Sequence, residues 1–188
     1  MPGMNILAIS GSLRSASINS ALLRAARRLA SADIAIHLFN GLGDLPLFNP
    51  DLESDPAPAV QTFRARVAAA DALLIASPEY AHGLTGTIKN GLDWLVSYEP
   101  FAFKPVAVLN ASPRAHHADD ALREVLRTMN ATLVESASIT VPLLGSGLDE
   151  DGMVNSPSVS EAIRESLGSL YDTVILQQTN RSPSFPLR

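Results

Sequence analysis

Four serine hydroxyls, one asparagine amide and one guanidinium fall within the ten residues Ser10 to Asn19. The stretch follows the apolar run Met4 to Ile9 and precedes a helical pattern. Hydroxyl and amide groups donate hydrogen bonds to anionic oxygens, and arginine adds a charged fork. The N-terminus of a following helix supplies free backbone N–H groups and the positive end of its dipole. Ser10, Ser12, Arg14, Ser17 and Asn19 are therefore candidates for an anion cradle. Residues 1–32 contain no Asp or Glu, although the chain has 19 acids. Acids are normally welcome in a first helical turn, so their absence suits a ligand that brings its own negative charge. The same serines and asparagine also serve as ordinary turn and N-cap residues.

Other chemistries find less support. No G-x-G-x-x-G follows a strand and no G-x-x-x-x-G-K-[ST] occurs, which disfavours a dinucleotide Rossmann site and a P-loop; a terminal phosphate monoester fits the loop better. The chain has no cysteine, which removes disulfides, thiolate-held metals and a cysteine nucleophile. No G-x-S-x-G elbow offers a serine nucleophile. His116 and His117 stand near Asp119 and Asp120, but adjacent residues point apart and no further ligands gather, so no metal is expected. His82 reads as an exposed loop residue and His37 as a core or rim histidine. Lys89 and Asp93, four apart, read as a surface pair, and Asp149 to Asp151 as a solvated acidic face.

The elements that must position the loop are legible as alternation. Continuous apolar runs at Asn5–Ile9, Ile34–Phe39, Ala72–Ala76, Val106–Leu109 and Ser138–Val141 read as strands buried on both faces. Helical patterns lie at Asn19–Ala30, Val60–Ala70, Thr87–Val96, Ala118–Asn130 and Val159–Gln177. Alternating strands and helices make a doubly wound α/β sandwich. At 188 residues and 46% apolar, one domain over 1–188 is expected, with a Pro/Asp-rich connection at Asn49–Pro58, an acidic loop at Leu143–Pro157 and a frayed tail from Arg181. A net charge of −5 argues against a general nucleic-acid or anionic-membrane binder. The absence of a basic leader or a long apolar span makes a soluble cytoplasmic protein the expectation.

Two motifs then carry a resemblance. "GSLRSASIN" after the first strand and "PEYAHGLTGTIKNGLDW" after the third resemble the NADPH-dependent FMN reductase family, which includes quinone, chromate and azo reductases. "LDEDGMV" before the last helix is also similar, so the likeness spans most of residues 4–175. It implies a flavodoxin-like three-layer α/β sandwich with a five-stranded parallel sheet in the order 2-1-3-4-5. The ligand site would lie where the first and third strands meet. It implies FMN as cofactor, with NADPH or NADH as donor and a quinone-like or other small acceptor. Ser12, Arg14, Ser17 and Asn19 match the phosphate loop, with Ser10 beside it. Pro78, Glu79, Tyr80 and Ala81 match the loop along the ribityl chain and ring edge, largely through backbone, and Ser112 matches the third loop.

The chain also departs from the family's pattern. Ala81 stands where Asn is usual and Thr85 where Pro is usual. Arg114, His117 and Ala118 occupy glycine positions of the third loop, from which Arg114 and His117 could meet a negatively charged cofactor or substrate. No side chain is expected to act as acid or base in hydride delivery. The resemblance further implies a homodimer or homotetramer, with the Tyr80–Trp94 region near the contact; Trp94 itself reads as core or interface. A module that binds a phosphorylated ligand without redox turnover is the alternative that the third loop favours.

Overall fold

The computed structural model describes residues 3–181. Its centre is a parallel sheet ordered β2-β1-β3-β4-β5, formed by β1 (Met4–Ser10), β2 (Ile34–Phe39), β3 (Ala72–Ala76), β4 (Pro105–Asn110) and β5 (Thr132–Leu133). A sixth short strand, β6 (Ile139–Thr140), also pairs with β4. The helices are α1 (Ile18–Leu29), α2 (Pro58–Ala69), α3 (Gly86–Asp93), α4 (His116–Thr128), α5 (Glu150–Asn155) and α6 (Pro157–Arg181). The tail expected to fray lies, beyond Arg181, outside the described residues.

Period-2 alternation sends neighbouring residues of one strand to opposite faces. Ile6, Ala8 and Leu74 join Leu22 of α1, Met153 of α5 and Ile163 of α6 in one apolar layer. Leu7, Ile9, Leu73 and Ile75 join Val60 of α2, Leu92 of α3 and Leu122 of α4 in the other. Both faces of β1 and β3 are thus covered, which explains their uninterrupted apolar sequence. The same reading fails for β2, an edge strand in which Ile36 alone is buried and His37 is exposed.

The fifth sheet position differs from the single strand expected at Ser138–Val141. β5 pairs with Pro105 and Val106, β6 pairs with Leu109 and Asn110, and a turn at Glu135–Ala137 interrupts them. Ser138 spans the break: its Oγ accepts from Val108 N (3.1 Å) and donates to Val134 O (2.9 Å). A side chain so replaces the missing ladder bond.

The acidic stretch 149–151 is also more than a solvated face. Asp149 caps α5 by accepting from Gly152 N (2.8 Å), a helix hidden in the sequence by its glycine and its acids. Glu150 pairs with Arg24 (2.6 Å), and Arg28 reaches both Glu150 and Asp151. The hydrogen bond to Asp151, aided by Glu150, holds the Arg28 guanidinium above its ordinary range. These pairs dock α5 on α1.

The chain runs outward from β1 to β2 on one side and then to β3 on the other. Ser10 therefore sits in register with Ala76, and the loops leaving β1 and β3 emerge side by side. That reversal opens a crevice at the carboxyl ends of the strands.

Candidate functional site

The first loop approaches the second closely because residue 11 is glycine. Gly11 N donates to Ala76 O (2.8 Å), and a Cβ at Gly11 would stand 2.2 Å from Ser77 Oγ. Thr85 fastens the two loops together. Its Oγ1 donates to Gly11 O (2.8 Å) and accepts from Ile88 N (3.3 Å), so it also caps α3.

Within the first loop the hydroxyls divide. Ser10 Oγ bonds Ser20 Oγ (2.8 Å) and accepts from Ser12 N (3.3 Å), turning it into the loop's own scaffold. Ser17 is the N-cap of α1 and accepts from Ser20 N (3.3 Å). Ser12 Oγ accepts from Arg14 N (3.4 Å), while the Arg14 side chain is exposed. Asn19 is 4% exposed, yet its Oδ1 has no hydrogen-bond partner. Such an orphan costs on the order of 1–3 kcal/mol unless something satisfies it. No acid stands in the first turn of α1.

The second loop ends in a tight hairpin. Tyr80 and Gly83 exchange backbone bonds of 3.2 and 3.0 Å, and Ala81 and His82 between them have φ of 49° and 58°. Two left-handed central residues define a type I′ turn, which asparagine and glycine suit and alanine does not. The alanine at 81 is therefore a point of backbone strain as well as a missing polar group. Replacing Ala81 with Asn should raise stability by about 0.5–1 kcal/mol, read as a higher urea midpoint at unchanged slope. An equal or lower midpoint would refute the strain.

The third loop is bound to the second. Glu79 Oε2 accepts from Ala118 N (2.9 Å), capping α4, whose own N-cap residue Ala115 offers no side-chain bond. The His82 ring stacks on His117 (centroids 4.5 Å, 20° between planes), and His117 lies against His116 (4.1 Å). Stacked rings face one another rather than a common centre. Ser112 Oγ accepts from Arg114 N (3.2 Å), and Ser112 N donates to Asn110 Oδ1 (3.0 Å).

Together the three loops enclose an open cleft of about 390 Å³, within the range of small-molecule sites. Ser12, Arg14, Ser17, Asn19, Pro78, Glu79, Tyr80, Ser112 and Arg114 line it. Three other expected residues stand back from the lining: Ser10 in the scaffold just described, Ala81 at the hairpin tip and His117 in the stack. Ser77, Asn110, Ala111, Ala115, Ile18 and Leu144 line the cleft without having been singled out as contacts. Leu144, reached from beyond β6, bears no chemical mark that a sequence could reveal. The expected surface pair is present as Lys89–Asp93. Trp94 is wholly buried, so its indole belongs to the core rather than to the cleft or to an outer contact.

Comparison with known proteins follows the same lines. The family model described as NADPH-dependent FMN reductase matches residues 4–143. An NAD(P)H-dependent FMN reductase of Pseudomonas aeruginosa is 34% identical, covering 89% of this chain and 93% of that protein. A 2-hydroxy-1,4-benzoquinone reductase of a Burkholderia species is 31% identical, over 90% and 93%. Among solved structures, the flavoenzyme NAD(P)H:(acceptor) oxidoreductase FerB of Paracoccus denitrificans superposes with a TM-score of 0.82 at 27% identity, covering 92% of this chain and 98% of that one.

Proposed function

The chain belongs to the NADPH-dependent FMN reductase family and is an NAD(P)H-dependent FMN oxidoreductase for quinone-like acceptors; from that premise we propose which of its residues do the work. When bound, FMN would supply the redox chemistry, a two-electron path between reduced nicotinamide and the acceptor. Ser12, Arg14, Ser17 and Asn19 hold the phosphate at the first turn of α1. An amide oxygen and nitrogen exchange places by a half-turn of the side chain, so Asn19 can present N–H groups to phosphate oxygens. Pro78 to Tyr80 would run along the ribityl chain and ring edge through their backbone, with Ala81 shaping the turn behind them, and the Tyr80 ring offers an apolar face to a flat heterocycle. Ser112 closes the far wall, while Ser10 and His117 brace the first and third loops.

No side chain is assigned as acid or base. A quinone taking two electrons needs two protons: the hydride brings one, and water at the open cleft provides the other.

One observation carries the assignment of the phosphate to the first loop: a buried asparagine whose amide oxygen has no partner, in an acid-free helix start that lines the cleft. The purified protein should be yellow or turn yellow on titration with FMN, and should bleach with NADPH under anaerobic conditions. Protein that stays colourless and ignores added FMN would overturn the reading.

Two finer points belong with it. We assign the protein to the cytoplasm, where reduced nicotinamide is replenished. We also assign it a homodimer or homotetramer. Leu47 is 83% exposed and Leu13 64%, and exposed apolar side chains of this size support an apolar contact between copies.

A further inference from the structure

Among the described residues three charged side chains line the cleft: Arg14, Glu79 and Arg114. The Glu79 carboxylate is engaged at the start of α4. On the reading above, Arg14 answers the single phosphate of FMN. Arg114 is left over. It stands on a different loop from the phosphate site and is exposed, and its guanidinium has no carboxylate partner or side-chain hydrogen bond among the described residues.

Among the described residues Glu79 is the one acid in the cleft lining. His116, His117 and His82 are exposed and lie against one another. Asp119 is tied to Arg123 (2.7 Å). Tyr80 and Leu144, which line the same cleft, are 53% and 56% exposed, two apolar surfaces suited to a flat ring. A cation in a cleft with apolar walls matches a planar substrate that bears one negative group.

We propose that Arg114 is a selectivity residue that reads a negative group on the substrate entering beside the flavin. The enzyme thereby favours a substrate that carries the negative group over one of similar shape that lacks it. The proposal rests on the FMN site described above. Two sources could present the negative group: a carboxylate or sulfonate on the acceptor ring, or the additional phosphate that distinguishes NADPH from NADH.

The test compares parent, Arg114→Gln and Arg114→Lys as FMN-loaded enzymes. Acceptors are menadione and a sulfonated naphthoquinone; donors are NADPH and NADH. Calorimetric titration with the sulfonated quinone, NADP⁺ and NAD⁺ gives a readout independent of turnover. In Arg114→Gln the preference for the sulfonated quinone, in kcat/KM and in Kd, should fall about five- to tenfold. The neutral quinone should change less than twofold, FMN affinity should hold, and Arg114→Lys should recover part of the preference. Added salt should erode the preference of the parent and not that of the glutamine variant. A loss confined to the NADPH/NADH ratio supports the proposal with the donor as the source. Unchanged ratios in both pairs would overturn it, as would a loss of FMN affinity of tenfold or more in Arg114→Gln. A parent that takes up no FMN would bring down this proposal together with the reading beneath it.

Discussion

Asn19→Asp should leave the apoprotein about as stable as the parent and weaken FMN binding by two orders of magnitude or more. The two halves of this expectation come from one position. Residue 19 is the second residue of α1, where a carboxylate interacts favourably with the helix dipole by roughly 0.3–1 kcal/mol. That gain offsets part of the cost of placing a charge at a buried site. The same carboxylate would face a phosphate dianion. At about 4 Å and an effective dielectric near 20, unit charges repel by about 4 kcal/mol. A penalty of about 3 kcal/mol already exceeds a hundredfold in affinity. Asn19→Ala, which removes donors without adding charge, should lose only about tenfold. Flavin fluorescence titration beside urea unfolding separates the two effects. A folded Asn19→Asp variant that binds FMN within threefold of the parent would remove the phosphate from this loop.

Trp94→Ala should cost about 3–5 kcal/mol, a large share of a typical domain's 5–15. The indole is fully buried and works in several directions at once. Its Nε1 donates to Pro46 O (2.8 Å), and its ring meets Phe48 edge-on at 5.1 Å. Arg64 lies 5.8 Å over the ring and donates from Nε to the Trp94 carbonyl (2.9 Å). Asn90, one turn earlier, bonds both Pro46 O (3.0 Å) and Phe48 N (2.8 Å). Truncation would leave a cavity between α3 and the 46–48 segment and deprive a carbonyl of one donor. Because Trp94 is the only tryptophan, unfolding must be followed by far-UV circular dichroism. Trp94→Phe should lose less, and protein that remains folded should bind FMN as the parent does. Near-normal stability combined with lost flavin affinity would place the indole at the cofactor and refute its role in the core.

How much of this was visible in the sequence depended on whether a residue's partner was local. β1, β3 and β4 announced themselves because burial on both faces leaves hardly a polar position in the run. The first loop was legible for a similar reason: donors cluster and acids are missing over a short span. Partnerships across the fold were not legible. Glu79 was recognisable as a residue of the site, but nothing near it in the chain indicates that its carboxylate reaches Ala118. Ser10 and Ser12 look alike in sequence, and only the position of Ser20, in the first turn of α1, shows that the Ser10 hydroxyl is tied into the fold. The break between β5 and β6 was hidden because a serine, normally a turn residue, completes the ladder there.

That mended border also limits how molecules of this protein can associate. A long, flat outer strand would present a rail of unsatisfied amides and carbonyls to which a neighbour's strand could add. Here the margin beyond β4 offers two stubs of two residues each, separated by a turn. Growth of the sheet from one molecule into the next is blocked on that side, so along that margin copies can meet only through helices and loops.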